Sequence, residues 1–299
     1  MRKALLIGLN AYNPQKPLRG CLNDVDDLAA LLSGSDFSFD QVSVLKDAAV
    51  TGDDLLARLS QLLSCDPGEN DPVRVFHFSG HGGRALDDGG DEDDQIDENL
   101  CMGNYVWSDP TSFILDDTLA ALLKTAHVAA PHMRVYVTLD CCHSGTGTKD
   151  VSTSETWEQS DLRARVQSGA TAEELKLAID DPRLAYYAIA RQAEDPPNIG
   201  ERPATAAAPQ GSGLGQVKGG EPTTHLLLSG CAAAQTCKDA PIEGRYNGVF
   251  TYAIVRALRA DPSLSWAALS EVAGEVVKSF NQNPQLEGPP ALKSRRAFS

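Results

Sequence analysis

The chain is 299 residues long, 42% hydrophobic, and carries a formal net charge of −15, apolar enough for one large or two small cores. That charge argues against nucleic acid and anionic membrane as partners, since both demand a basic face, and favours metal ions or basic peptides. Seven cysteines, an odd number spread along the chain, do not form a disulfide framework.

The apolar run Ala4–Leu9 is too short for a signal peptide. No run approaches the roughly 18 apolar residues that span a bilayer, so a cytoplasmic protein with reduced thiols is expected; a monomer is the expected oligomeric state.

In chain order, KALLIGL (3–9) reads as a buried strand and NDVDDLAALL (23–32) as a helix capped by Asn23. QVSVL (41–45) is a second strand, and TGDDLLARLSQLL (51–63) a helix capped by Thr51. VRVFHFS (73–79) is a third strand, DDTLAALLKTA (116–126) a helix, and MRVYVTLD (133–140) a fourth strand. THLLLSG (224–230) is a fifth strand, followed by helices over 248–260 and 265–279.

Strands alternating with helices of this length predict crossover units, hence an α/β fold with a mainly parallel sheet and helices on both faces. Two segments interrupt the pattern. Residues 84–110 begin with DDGGDEDDQIDE (87–98), eight of whose twelve residues are acidic. Residues 146–223 read as helical around 171–193, then as a Pro-, Gly- and Ala-rich linker.

Ligands of parallel sheets sit at the carboxyl ends of the strands. The chemically distinctive stretches fall there: Ser79–Gly83, Asp140–Gly145 and Ser229–Gly230. In VTLDCCHSG (137–145), Cys141 and Cys142 are adjacent, which is poor chelate geometry, and no second Cys/His pair completes a zinc site. Core packing accounts for one of the two cysteines, because successive side chains at a strand end point opposite ways. HFSGHGG (77–83) ends a neighbouring strand and brings His81 to the same edge, the Cys–His arrangement of thiol proteases. Gly82 lets a backbone N–H approach a reacting carbonyl.

HFSGHGG and DCCHSG together resemble the paired signatures of the caspase-like clan, specifically the metacaspases and their bacterial relatives in peptidase family C14. Animal caspases carry Q-A-C-x-G with the His about 50 residues upstream, whereas His81 and Cys142 stand 61 apart. LRGCLND (18–24), ILDD (114–117), SGC (229–231) with Gln235, YNGVFTYAIVRAL (246–258) and NPQL (283–286) add to the likeness, which runs from Lys3 to about Leu286. The resemblance implies a caspase-like three-layer sandwich. Residues 1–145 would form a large-subunit-like part, 146–223 an insertion, and 224–299 a small-subunit-like part.

The resemblance also implies Cys142 as nucleophile, His81 as general base, and an oxyanion hole from the N–H groups of Gly82 and Cys142. Cys141 becomes packing, and His143 points away from the site. The pocket for the residue before the scissile bond maps to Cys21, Asp24, Ser79 and Asp140. Two carboxylates in one small pocket repel unless a cation lies between them, so they select Arg or Lys.

The acidic run fails the EF-hand pattern, since counting from Asp91 the required Gly falls on Ile96. The resemblance instead implies calcium as an activator, held by Asp97, Asp116 and Asp117. The fourth aspartate is displaced by one, with Lys149 at the family position and Asp150 next. Self-processing is expected in 146–223, at Lys149, Arg163 or Arg165 nearest the nucleophile. The rival readings are a catalytically silent interaction module, another thiol hydrolase of the clan, and a simple calcium binder.

Overall fold

The structure, a computed structural model, describes residues 1–12, 17–47, 50–86, 96–105, 110–141, 163–164, 224–232 and 235–299. β1 (Arg2–Gly8), α1 (Cys21–Ser33), β2 (Gln41–Lys46), α2 (Gly52–Leu62) and β3 (Val73–Ser79) open the chain. A small antiparallel sheet of β4 (Gly82–Leu86), β5 (Ile96–Cys101) and β6 (Phe113–Leu115) follows, then α3 (Asp116–Ala129) and β7 (Arg134–Asp140). After the short β8 (Arg163–Ala164) come β9 (Leu226–Ser229) and the hairpin of β10 (Lys238–Ile242) and β11 (Arg245–Gly248). α4 (Val249–Ala260), α5 (Trp266–Val277), β12 (Gln285–Glu287) and α6 (Pro290–Lys293) complete the described elements.

The main sheet has the order β12-β9-β7-β3-β1-β2, all neighbours parallel except β12. The strands expected from the apolar runs are therefore present, with the first, third and fourth of them inside the sheet. Because side chains alternate along a strand, each run feeds two cores. Leu5 and Ile7 join Phe76, Phe78, Val137 and Leu139 against Leu55 and Leu59 of α2 and Leu119 and Leu123 of α3. Ala4 and Leu6 join Val73, Val75 and Tyr136 against Leu28 of α1, Ile254 of α4 and Trp266 of α5. Burial on both faces explains why these strands are mostly apolar on both sides, with Arg74, His77 and Thr138 as buried polar exceptions, and the result is a three-layer α/β sandwich.

Thr51 caps α2 as expected, accepting from the Asp54 N–H at 3.2 Å. α1 departs from expectation: it starts at Cys21 behind Gly20, and Asn23 lies inside it. No side chain caps it; the turn just before it is held by a distant residue, because Asp239 Oδ2 accepts from the N–H groups of Arg19 and Gly20 at 2.7 and 2.9 Å. Gly20 is required there, since a Cβ would sit 2.6 Å from the Asn247 carbonyl carbon. Asn23 instead donates to the Tyr246 carbonyl at 2.6 Å. The helix expected around 171–193 lies outside the described residues.

Candidate active site

The ladders bring the chemically distinctive strand ends into line. Gly8 pairs with Ser79, Ser79 with Asp140, and Leu139 with Ser229, so four parallel strands end at one edge.

His81 lies two residues beyond β3 and is 1% exposed. Its N–H donates to the Tyr12 hydroxyl at 2.9 Å, the hydroxyl donates to the Cys101 carbonyl at 3.1 Å, and the two rings meet edge-on with centroids 4.4 Å apart. The His81 carbonyl accepts from Cys101 N–H at 3.0 Å. Gly80 permits this clamp, since a Cβ there would lie 2.3 Å from the Tyr12 hydroxyl.

The Cys101 N–H bonds across to the His81 carbonyl while the His81 N–H turns to Tyr12, so the two residues form one of the two bonds of a ladder pair. The next pair, Gly82 with Leu100, is then of the alternate kind, and the Gly82 N–H points away from β5.

Asp24 sits in the first turn of α1 and is fully buried. Its Oδ2 accepts from Ser79 Oγ at 2.7 Å; its Oδ1 accepts from Gly248 N–H at 2.9 Å and Asn247 Nδ2 at 3.2 Å. Three donors match an ionised carboxylate. Asp140, also fully buried, takes the N–H and hydroxyl of Thr251 on Oδ2 at 3.0 and 2.6 Å.

Gly248 caps α4 and Thr251 lies in its first turn. Both carboxylates thus converge on the positive end of one helix. Mutual repulsion was expected to require a cation between them; the helix N-terminus supplies compensating charge within the protein itself.

Cys21 opens α1, donates its N–H to Asn10 Oδ1 at 3.0 Å, and packs in the same buried cluster as Tyr12, Leu18 and Cys141. Cys141 is fully buried there, in line with its expected packing role. Cys142 and Asp150 lie outside the described residues.

Of the remaining acidic residues, Asp116 is buried in the first turn of α3 beside Asp117. The β5–β6 ladder ends at Asn99 paired with Leu115, which brings the backbone of Asp97 towards that turn. Among the described residues no group of three or more His, Cys, Asp or Glu side chains is arranged to hold a metal.

Sequence reasoning missed Tyr12, Asp239, Asn247 and Thr251. Thr251 left a signal, a small hydroxyl residue in the largely apolar start VFTYAIV of α4, while Tyr12 left none.

A parallel sheet with a buried strand-end His beside a second strand ending in Asp-Cys-Cys defines the architecture of a caspase-fold protein. The caspase-domain family (Peptidase_C14) matches residues 1–293, and the chain belongs to that family. Metacaspase-1 of Yarrowia lipolytica is 29% identical over 295 residues, covering 95% of this chain and 61% of that protein. Metacaspase-1A of Aspergillus terreus is 28% identical over 305 residues, covering 95% and 70%. The chain therefore spans about two thirds of the length of these relatives.

Among solved structures, a Geobacter sulfurreducens protein aligns with a TM-score of 0.60 at 22% identity, over 100% of this chain and 98% of that one. Caspase-1 of Spodoptera frugiperda aligns at 0.54 and 12% identity, over 98% and 87%. Among the described residues no helix is long and apolar enough to cross a membrane.

Proposed function

We propose that the chain is a cysteine endopeptidase of metacaspase type that cleaves proteins or peptides after Arg or Lys. The observation that supports this most is the pairing of Ser79 with Asp140. His81 and Cys142 each follow that matched pair by two residues, and Cys142 is tied covalently to Cys141, about 3.8 Å away between Cα atoms.

In this reading His81 takes the Cys142 thiol proton as the sulfur attacks the scissile carbonyl. The developing oxyanion is met by the N–H groups of Gly82 and Cys142. His81 then passes its proton to the leaving amine, and a water activated by the same imidazole hydrolyses the thioester.

Asp24 and Asp140, with Ser79 and Cys21, form the floor for the basic side chain. The α4 N-terminus neutralises them only in part, because dipole ends carry about half a charge. Their wiring also makes the pocket hostile to a substrate Asp.

Calcium, when bound, would supply positive charge between clustered carboxylates. Asp97, Asp116, Asp117 and Asp150 are the residues to hold it, and the approach of β5 to the start of α3 suits the first three. Self-processing within 146–223 belongs to the same reading. Arg163 is the least available site, since its backbone pairs with Asp239 of β10, which leaves Lys149 and Arg165. The net charge of −15 suits basic substrates rather than nucleic acid or membrane, and the odd cysteine count suits a reducing cytoplasm; the chain is taken to act as a monomer.

The test is labelling with a thiol-reactive inhibitor that carries Arg at the recognition position. A covalent adduct mapped to Cys142, absent when Asp replaces Arg in the inhibitor, is expected. A protein that takes no label would instead be a silent interaction module. Incubation with and without calcium, followed by sequencing of new N-termini, reads activation and self-cleavage together; cuts that persist in Cys142→Ala would refute self-processing.

A further inference from the structure

The loop after β9 carries two thiols to which the proposed chemistry assigns no task. Cys231 and Cys237 are 1% and 0% exposed, and their Sγ atoms stand 3.1 Å apart. Both approach one acceptor, the carbonyl oxygen of Cys141, at 3.9 Å from Cys231 Sγ and 3.2 Å from Cys237 Sγ. Gly230 makes room for the pair, since a Cβ there would lie 2.9 Å from Cys237 Sγ.

A peptide unit is planar and trans, so its C=O and N–H point in opposite directions. The Cys141 carbonyl shares its unit with the Cys142 N–H. What holds that oxygen therefore aims that hydrogen, which is one of the two donors proposed for the oxyanion.

We infer that Cys231 and Cys237 form a redox site, joined by hydrogen peroxide into a disulfide that releases the Cys141 carbonyl and so disables the oxyanion donor on the far side of the same peptide. The effect on turnover rests on the proposed function; the disulfide itself does not.

One thiolate attacks peroxide, the O–O bond breaks, and a sulfenic acid and hydroxide result; the hydroxide leaves as water with the proton that the thiol gave up. The second thiolate attacks the sulfenic sulfur, the S–S bond forms, the S–O bond breaks, and the oxygen departs as a second water. The two sulfurs lose two electrons and peroxide gains them. Bond formation needs the sulfurs to close by about 1 Å, to the usual S–S length. The Gln235 carbonyl, 3.5 Å from Cys231 Sγ, belongs to a residue that also lines a surface groove with Glu271, Lys278, Asn281 and Gln282, which places the pair one residue from the surface. After oxidation neither sulfur carries a proton to donate to Cys141.

The first measurement uses Cys142→Ala, so that the proposed nucleophile cannot react. After peroxide and alkylation of remaining thiols, the tryptic peptide from Gly219 to Lys238 should lack two hydrogens and resist alkylation until a dithiol restores it. Two alkylated cysteines in that peptide after peroxide would overturn the disulfide.

The second measurement compares reduced variants on an Arg substrate, with thermal melts confirming folding. Cys237→Ala should lower kcat about tenfold with KM within about twofold. Cys237→Ser, whose hydroxyl still donates, should recover most of that loss. Equal turnover by the two variants would overturn the anchoring of the carbonyl. Wild-type protein inactive on every basic substrate would instead sink the proposed function, while the peptide mapping would still decide the disulfide.

Discussion

The acidic floor and the His81 clamp lie on one sheet edge but are held by different physics. Asp24 and Asp140 are fixed by charge-assisted hydrogen bonds to the start of α4, from partners 224 and 111 residues away in sequence. His81 is fixed by an aromatic edge contact and neutral main-chain bonds, through Tyr12 and Cys101. Charge-assisted bonds are individually strong, and breaking one leaves a buried group in need of a partner. Neutral packing spreads its energy over many contacts, so losing a single hydroxyl costs less. The floor should therefore be the more brittle of the two.

The experiments that test this contrast are ordered by expected effect on turnover. Cys142→Ala and His81→Ala should each lower kcat on Arg substrates at least about a thousandfold, measured by steady-state release of a fluorogenic group. Cys141→Ala, a small truncation within a core cluster, should retain activity within about threefold. If Cys141→Ala is the inactive variant, the assignment is off by one residue.

Next comes Asp140→Asn. Its amide oxygen can still accept from Thr251, so the fold should survive while the charge is lost. Cleavage efficiency after Arg should fall about a hundredfold, and paired Arg and Asp peptides would measure it. Efficient cleavage after Asp by the wild type would refute the pocket map.

Thr251→Val removes the 2.6 Å bond to Asp140 at nearly constant volume. Stability should drop by about 1–2 kcal/mol in denaturant titration, and kcat/KM for Arg by about tenfold. Tyr12→Phe keeps the ring against His81 and deletes only the hydroxyl. It should cost about 1 kcal/mol and lower kcat about threefold. A Tyr12→Phe loss greater than that of Thr251→Val would reverse the contrast.

Glu69→Gln, remote from this edge, is the control and should leave turnover at neutral pH unchanged. The fully buried Arg74 donates to Glu69 at 2.8 Å, and that bond holds the carboxyl down at about 2 from its usual 4.5, against desolvation. A depressed acid stabilises the fold above its unfolded value and loses that contribution as pH falls towards its folded value. Glu69 should therefore add to the loss of stability between pH 4.5 and 2, and Glu69→Gln should lack that share of it. Denaturant titrations across that pH range would measure the difference.

Much of the architecture was legible because burial on both faces writes itself into neighbouring residues: VRVFHFS and MRVYVTLD are short, mostly apolar runs rich in β-branched and aromatic residues. Thr51 was legible as a cap because its partner, Asp54, is three residues away. The start of α1 departs from the expected cap because the turn before it is held by Asp239, 220 residues distant. β5 and β10 were missed for another reason. β5 emerges from an acidic run and β10 contains a proline, and both are short strands of small antiparallel sheets whose pairing, rather than their composition, makes them strands.

The order of strands and helices came from the sequence alone, because periodicity is a property of adjacent residues, and the candidacy of His81, Cys142, Asp24 and Asp140 came from motifs that resemble those of a known family. Only the tertiary structure decided that both carboxylates rest on the N-terminus of α4, that Tyr12 clamps His81, and that Cys231 and Cys237 meet over the Cys141 carbonyl. Those contacts depend on where crossovers and hairpins return the chain, and no local pattern encodes a partner a hundred residues away.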